Sequence, residues 1–319
     1  MNEVAIAEVA RTVAEEFDIG RLILCEPIGA ASRRVGSLTT SRGNYVLKPA
    51  KSPEAFQFYA DVETLLNSKG VRQARVFSKP DGTLISRHGF ALYEMMEGSN
   101  SISLNAAQIE STMAYMANYN AALAGIPVPS HLTSSDDPWN RAVSPIFLVE
   151  DLLGRIDTLG MSSSTRRTAE RCVHFLSSEI QTFHDLSSQL VHSDIGPGNI
   201  LYNGDDIVSV IDFSPHAAPE LYSLCGFFYW QFLWFNEFDL DIDAVRFSLD
   251  LYAANRPAFS ANAKALRFLM VMAAAFRLFG PIMAMAEGLS SYTQETIDVR
   301  AGLVDKVLDN ESLSHALDS

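Results

Sequence analysis

Four polar residues between positions 192 and 212 have the types and spacing that phosphoryl transfer requires. His192 and Asp194 are followed by Asn199, and a β-branched run then ends at Asp212. In this order, the first aspartate accepts the proton of an attacking hydroxyl, while the asparagine and the second aspartate hold magnesium against phosphate groups. We therefore predict that Asp194 is a catalytic residue and that Asn199 and Asp212 are Mg²⁺ ligands.

Short local elements are expected to position these side chains. Asp194 and Asn199 lie on one loop, close enough to share a substrate and a metal ion. Residues 208–211 are rich in valine and isoleucine, which predicts a strand that delivers Asp212 rigidly. The glycine and two aspartates at 204–206 predict the turn of a hairpin before that strand.

The segment from His192 to Leu201 resembles the catalytic loop of the aminoglycoside phosphotransferase, choline kinase and homoserine kinase family. Protein kinases usually have arginine before the aspartate and lysine two residues after it, where this chain has Ser193 and Gly196. The resemblance covers roughly residues 20–240. It implies ATP and Mg²⁺ as cofactors and transfer of the γ-phosphoryl group to a hydroxyl of a small molecule.

In the N-terminal part, the resemblance implies a lysine that contacts the nucleotide phosphates. Lys48 ends a predicted strand and is similar to the lysine that neutralises phosphate charge in the transition state. Glu63, in the helix that follows, is similar to the glutamate that pairs with this lysine. Glu54 is the alternative partner, and it is closer to the helix start, where a carboxylate is favoured by the helix dipole.

Two further segments resemble nucleotide-binding elements. Gly29 and Ser32 lie between the first two predicted strands, in the place of the loop that covers the phosphates, where backbone N–H groups bind anions. Glu94 and Met96 lie in the place of the hinge, where the backbone binds adenine. Methionine at this position either packs on the adenine ring or fills the core.

The C-terminal part contains a departure from the family and a cluster of charge. Ser223 stands where the family usually has an aspartate that braces the catalytic loop. Aromatic residues alternate with four carboxylates in the segment 234–243, which predicts either a site for an amine-bearing substrate or an exposed acidic loop. The carboxylates are Glu237, Asp239, Asp241 and Asp243. His192 is expected to hold the loop rather than to act as a base.

The order of the predicted elements agrees with the resemblance. Three strands precede a helix over residues 53–68, and two more strands flank a turn at 79–82. Helices dominate the rest: Asn105 with Gln108 is expected to cap the first of them, and others are expected over residues 165–186, 221–235, 262–286 and 292–308. We expect an α+β, two-lobed fold like that of protein kinases. Residues 1–98 would form a small, nucleotide-binding N-lobe that consists of an antiparallel sheet and one helix. Residues 99–319 would form a larger, mainly helical C-lobe with the catalytic loop and the substrate site.

Charge and composition limit the classes of partner and substrate that are expected. The 319 residues carry a net charge of −14, and residues 1–100 hold 12 basic and 12 acidic side chains, so the whole excess lies in the remainder. This disfavours a nucleic-acid partner and favours a cationic small substrate. Three separated cysteines and the absence of a signal peptide predict a cytoplasmic protein without disulfides. Arg277 interrupts the longest apolar stretch, so no membrane span is expected.

Two other functions share these motifs. A nucleotide-binding pseudokinase with a regulatory role would keep the fold, although the intact set of Lys48, Asp194, Asn199 and Asp212 argues against it. A protein kinase would need an activation loop after Asp212. The Ala-Pro-Glu segment that begins at Ala218 follows only six residues later, which leaves no room for one.

Overall fold

The chain divides into two compact units. The computed structural model describes residues 3–28, 35–50, 53–132, 147–260, 263–286, 288 and 292–315. The first unit comprises Met1–Ser99 and Val208–Ile211, and the second comprises Asn100–Ile207 and Asp212–Ser319. The division after Ser99 falls next to the lobe boundary placed at residue 98 from the sequence.

The first unit is an antiparallel sheet with two helices. Its elements are α1 (Glu3–Glu16), β1 (Leu22–Pro27), β2 (Gly36–Thr40), β3 (Gly43–Pro49), α2 (Pro53–Ser68) and β4 (Phe90–Glu94). The strands are ordered β1-β2-β3-β4, and Lys48 of β3 lies opposite Ala91 of β4. Apolar residues of α1, among them Ala10 and Val13, pack with Leu38, Leu47 and Leu92 of the sheet. This burial of apolar area fixes α1 on the sheet.

One predicted strand of this unit is reduced to a single bridge. The turn at 79–82 forms as expected, with Gly82 N donating to Lys79 O at 2.9 Å. The strand expected before it contributes only the bridge between Val76 and Tyr93. Short apolar runs predict strand type better than strand length, because pairing depends on the neighbouring strand.

The second unit is mainly helical. Its helices are α3 (Ala106–Leu123), α4 (Phe147–Thr158), α5 (Ser163–Ser178), α6 (Ile180–His184), α7 (Glu220–Phe228), α8 (Ile242–Asn255), α9 (Ala263–Ala286) and α10 (Gln294–Asp309). Its strands are β5 (Ser188–His192), β6 (Ile200–Asn203), β7 (Asp206–Val210) and β8 (Pro215–Pro219), of which the last residues of β7 belong to the first unit. Two-stranded sheets form from β5 with β8 and from β6 with β7. The α+β fold expected from the sequence is thus present.

Helix α9 is the centre of the second unit. It packs against α7, α10 and α4, and most of its side chains are buried. Within the described part of the chain, α9 alone has the length and apolar character of a membrane span, and 72% of its apolar window is buried inside the protein.

Several helix boundaries differ from those expected. The helix predicted over residues 165–186 is two helices, because the backbone leaves the helical region at Glu179 (φ −104°, ψ 12°). The helix predicted over 221–235 continues from α7 into a π-helix at Tyr229–Trp234. Helices α4 and α8 were not predicted. Asn105 and Gln108 form the expected capping box at the start of α3.

Candidate active site

Antiparallel pairing fixes both ends of the candidate catalytic loop. His192 ends β5 and lies opposite Pro215 of β8. The pairing continues for one residue, because Ser193 N donates to Ser214 O at 2.9 Å. Asp194 is therefore the first residue released from the sheet, and its side chain is 56% exposed. A rigid strand thus presents a carboxylate to solvent.

His192 has the structural role expected of it. Asp194 N donates to His192 Nδ1 at 3.2 Å, so the unprotonated nitrogen of the ring faces the loop. The imidazole is fully buried, with ring centroids 6.2 Å from Tyr119 and 5.6 Å from Phe213. A buried ring held in this way orients the loop and has no access to a substrate.

Asn199 connects the two ends of the loop. A turn of 3-10 helix over Pro197–Asn199 brings its amide back, and Nδ2 donates to Asp194 O at 2.9 Å and lies 3.4 Å from Asp194 Oδ2. Since Nδ2 serves Asp194, the amide oxygen is the atom left for a metal ion. Amide and carboxylate oxygens are ligands that Mg²⁺ accepts, so the donor set fits.

Asn100 holds the same loop from outside and was not recognised in the sequence. Its Nδ2 donates to Pro197 O at 3.1 Å, to Gly198 O at 3.1 Å and to Ile200 O at 2.8 Å. These carbonyls converge because the 3-10 turn directs them to one side. No local sequence signal identifies Asn100, since its partners lie about a hundred positions away.

Asp212 adopts a backbone conformation that is uncommon for residues other than glycine. Its φ is 59°, and the residue is exposed two positions after the end of β7. Aspartate tolerates this left-handed region better than most residues, and such outliers concentrate at functional sites. Strand β7 forms as predicted, so Asp212 is delivered by the element expected from the sequence.

Arg277 is a second residue that sequence reasoning missed. Its Nη2 lies 3.9 Å from Asp194 Oδ1, and its side chain is only 6% exposed. The guanidinium carbon lies 5.0 Å from the Tyr229 ring centroid and 5.3 Å from that of Trp230. The available signal was an arginine between two apolar runs of α9.

Gly196 allows the π-helix to approach the catalytic loop. A Cβ atom built at Gly196 would lie 2.6 Å from Trp230 Cδ1, whereas one built at Gly198 would meet nothing within 4 Å. The two glycines of one loop thus differ: Gly196 is required by packing and Gly198 is not. Gly196 replaces the lysine usual in protein kinases.

Ser223 belongs to a buried network that stands in the place of the missing aspartate. Its hydroxyl donates to Glu220 O at 2.9 Å and accepts from Asn120 Nδ2 at 2.9 Å. Asn120 Nδ2 also donates to the Tyr252 hydroxyl at 2.9 Å. Tyr252 in turn donates to Glu220, and burial raises its pKa. The network fixes α7 against α3 and α8, and within the described residues the hydrogen bonds of the Ser223 hydroxyl are to Glu220 and Asn120 rather than to the catalytic loop.

In the first unit, Lys48 and Glu63 have separate partners. Lys48 is half-buried on β3, with Nζ 5.3 Å from the Tyr93 ring centroid. The Glu63 carboxylate accepts from Val76 N at 3.2 Å and from Asn67 Nδ2, and burial raises its pKa. Contacts within the described residues do not include an ion pair between Lys48 and Glu63. The side chain of Glu54, the alternative partner, lies outside them.

The remaining residues predicted to bind the nucleotide are Gly29, Ser32, Glu94 and Met96. Gly29 and Ser32 lie outside the described residues. Glu94 ends β4, where its carboxylate pairs with Arg72 at 2.6 Å and its N–H donates to Arg75 O at 2.8 Å. Met96 follows two residues later and is half-buried. The Glu94 side chain therefore has a structural partner.

Half of the acidic cluster at 237–243 has a structural explanation. Asp241 caps α8 by accepting from Ala244 N at 2.9 Å, and Asp243 pairs with Arg246 at 3.7 Å. Glu237 and Asp239 are exposed, and Glu237 has a positive φ of 51°. Only these two carboxylates remain as candidates for contact with a substrate.

The cysteines are free thiols, as expected. Cys172 and Cys225 are buried and Cys25 is half-buried. Burial raises the pKa of Cys172 to about 12, so this thiol is unreactive.

The kinase-like fold and the loop bearing Asp194 and Asn199 together define a phosphotransferase. The chain belongs to the phosphotransferase enzyme family (APH), whose model matches residues 25–215. This match covers more than half of the chain, and it includes both β3 with Lys48 and the whole loop from His192 to Asp212.

Curated relatives are small-molecule kinases. The chain is 24% identical over 280 residues to a homoserine kinase of Janthinobacterium sp. (strain Marseille), covering 83% of this chain and 81% of the relative. It is 25% identical over 285 residues to a homoserine kinase of Methylocella silvestris, again covering 83% and 81%.

Solved structures share the fold. An amicoumacin kinase in complex with AMP-PNP, Ca²⁺ and its substrate superposes with a TM-score of 0.66, at 15% identity, over 96% of this chain and 94% of that chain. Spectinomycin phosphotransferase APH(9)-Ia, in complex with ADP and spectinomycin, gives a TM-score of 0.64 at 15% identity over 98% of both chains. At this identity the likeness establishes the fold alone.

Proposed function

We propose that the chain transfers the γ-phosphoryl group of ATP to a hydroxyl of a small, amine-bearing molecule. One observation carries the proposal: an exposed Asp194 whose backbone and side chain are fixed by Asn199 and His192 within a single loop. Membership of the phosphotransferase enzyme family supports the same reaction class. A fixed carboxylate beside a metal ligand suits a reaction in which positioning and electrostatics supply most of the catalysis.

Each residue has a specific part in this proposal. Asp194 accepts the proton of the acceptor hydroxyl, and Asn199 and Asp212 hold Mg²⁺. Lys48, oriented by Glu63, contacts the α- and β-phosphates. Gly29 and Ser32 cover the phosphates, and the backbone at Glu94 and Met96 binds adenine. Residues 1–98 thus serve the nucleotide and residues 99–319 the acceptor.

The bound metal would supply charge neutralisation on the phosphate oxygens. The protein contributes few ligands, as is usual for Mg²⁺, which also takes water and phosphate oxygens. Asn199 fits this part because its amide nitrogen donates within the loop, while the hydrogen bonds of the described residues do not include one to its amide oxygen.

For the acceptor, we propose an amino alcohol of the homoserine class. The curated relatives are named homoserine kinases, and the acidic excess of the chain lies in the part assigned to the acceptor. Opposite charges attract a cationic group toward such a surface. We further propose that the protein works in the reducing environment of the cytoplasm, with no nucleic-acid or membrane partner.

A panel of acceptors tests the function. Homoserine, choline, other amino alcohols, aminoglycosides and neutral sugars would each be incubated with Mg-ATP, and ADP release measured. We expect release to rise above the acceptor-free rate for amine-bearing alcohols and to require Mg²⁺. Nucleotide binding without release for any acceptor would contradict the enzyme assignment and favour a pseudokinase.

The role of the amine is tested through charge. Replacing both Glu237 and Asp239 with alanine should raise the acceptor KM several-fold at low salt, and the difference should shrink as salt is added. Glu15→Ala combined with Asp61→Ala is the matched control, because it removes two exposed helical carboxylates from the first unit. Equal effects of the two double variants would restrict Glu237 and Asp239 to solubility.

A further inference from the structure

The Arg277 guanidinium is buried beside a single carboxylate. Within the described part of the chain, Asp194 provides the one carboxylate oxygen within 4.0 Å of Arg277, at 3.9 Å from Nη2. The hydrogen bonds of the guanidinium are to main-chain carbonyls: Nη1 donates to Ala273 O at 3.0 Å and Nη2 to Gly226 O at 3.5 Å. Among the residues that the structure describes, its buried Nε has no hydrogen-bond partner.

An arginine buried with so few polar partners does not favour the folded state. Burial of a charge without a close, well-hydrogen-bonded partner is costly, and apolar residues of similar volume are often equally stable. Stacking on Tyr229 and Trp230 offsets only part of this cost. The position in an apolar helix therefore indicates a functional role for the charge.

The surrounding contacts aim Arg277 at the catalytic loop. Arg300 Nη1 donates to Arg277 O at 2.7 Å and so fixes its backbone. Gly226 of α7 allows the guanidinium to approach, because a Cβ atom there would lie 3.2 Å from Arg277 Nη2 and 3.3 Å from Ser193 O. One guanidinium thus lies where α7, α9 and the loop meet.

The two oxygens of Asp194 have different neighbours. Oδ1 faces Arg277 at 3.9 Å, and Oδ2 faces Asn199 Nδ2 at 3.4 Å. Both distances are long, as is common for catalytic contacts before substrate binds. Cationic and amide donors on either side restrict rotation of the carboxylate, which Ser223 cannot do because its hydroxyl is used within α7 and by Asn120.

We propose that Arg277 is the positioning residue for Asp194: from α9 it holds Oδ1 of the carboxylate, so that Oδ2, which lies beside Asn199, accepts the proton of the acceptor hydroxyl. The inference rests on the proposed function, since it takes Asp194 as the proton acceptor. Arg277 acts through Asp194 and does not itself touch the reacting atoms. The charge that protein kinases place two residues after the aspartate would thus come from another helix.

Arg277→Met is the decisive variant, and Arg267→Met is its matched control. Arg267 lies on the same helix, is stacked on Phe175 at 5.3 Å and donates to Leu308 O at 2.8 Å, but Asp194 is not among its neighbours. We expect Arg277→Met to lower kcat about 10–100-fold, the size that a displacement of about 1 Å produces. The KM for ATP should stay within about twofold. Arg267→Met should leave kcat per folded molecule unchanged.

Two further measurements separate positioning from packing. Arg277→Lys restores the positive charge without the planar guanidinium, and it should recover part of the lost kcat. It serves as the test variant if the methionine variant does not fold. In an Asp194→Asn background, Arg277→Met should cause little further loss, because residues that act as a unit are not additive.

Hydrogen exchange tests the inference without turnover. Amides of residues 193–199 should exchange faster in Arg277→Met than in wild type or in Arg267→Met. If exchange responds to Arg277 but no acceptor is phosphorylated by the wild type, the proposed function fails and the positioning contact stands. Equal kcat losses and equal loop exchange in the two methionine variants would overturn the inference.

Discussion

The candidate catalytic loop and the Lys48 strand differ in how their functional side chains are held. In the loop, Asp194 and Asn199 contact each other, and His192 fixes the backbone beneath them. In the first unit, Lys48 lies near Tyr93 while Glu63 holds the backbone at Val76. The loop is held by contacts among its own residues, whereas the described contacts of Lys48 and of Glu63 are with different neighbours.

This difference predicts which kinetic constant each region affects. Contacts within the loop span at most a few residues, so they form with the loop itself. A Lys48–Glu63 contact joins two elements, a strand and a helix, whose spacing can change when a ligand binds. We therefore expect variants of the loop to lower kcat and variants of the Lys48 region to act on nucleotide affinity.

The largest effect is expected for Asp194→Asn. Removing the proton acceptor should lower kcat by about 10²–10⁴-fold. Mg-ATP affinity should change little, because Asp194 is assigned to the acceptor hydroxyl. Steady-state kinetics and calorimetry with Mg-ATP measure the two quantities. Wild-type turnover in this variant would remove Asp194 from the catalytic role and with it the contrast between the two regions.

A smaller loss is expected for Gly196→Ala. The added methyl would lie 2.6 Å from Trp230 Cδ1, so the loop or the indole must move. We expect kcat to fall about 10–100-fold, since displacement of a catalytic group by about 1 Å has this effect. Gly198→Ala is the control in the same loop, because its methyl meets nothing within 4 Å. Similar kinetics of the two variants would show that Trp230 does not set the loop position.

The smallest effect is expected for Glu63→Gln. If Glu63 orients Lys48 in the bound state, the KM for ATP should rise by about tenfold, roughly the loss of a charged hydrogen bond. Glu54→Gln should change it less than twofold. Both are measured by varying ATP at saturating acceptor. A larger effect for Glu54→Gln would reverse the assignment of the lysine partner.

Local signals predicted the fold and the loop well. The β-branched run before Asp212, the cap at Asn105 and the helix over Pro53–Ser68 depend on residues close in sequence, and each forms as expected. Hairpin β6–β7 forms for the same reason. Patterns of this kind record backbone preferences that tertiary packing does not oppose.

The features that the sequence did not predict depend on tertiary contacts. Asn100 reaches three carbonyls at positions 197–200, and Arg277 reaches Asp194 from a helix more than eighty positions away. The π-helix at Tyr229–Trp234 arises in a run that predicts an ordinary helix, and it carries Trp230 onto Gly196. Such irregular turns frequently accompany functional sites.

The most direct test follows the phosphorus atom itself. Wild-type protein, Mg-ATP and an amino alcohol such as homoserine would be followed by ³¹P NMR, with Asp194→Asn protein as the comparison. The account predicts that the γ-phosphate signal is replaced by that of a phosphate monoester on the acceptor hydroxyl, in step with ADP, and only with wild-type protein. Formation of inorganic phosphate alone, or of the monoester at the same rate with both proteins, would contradict it.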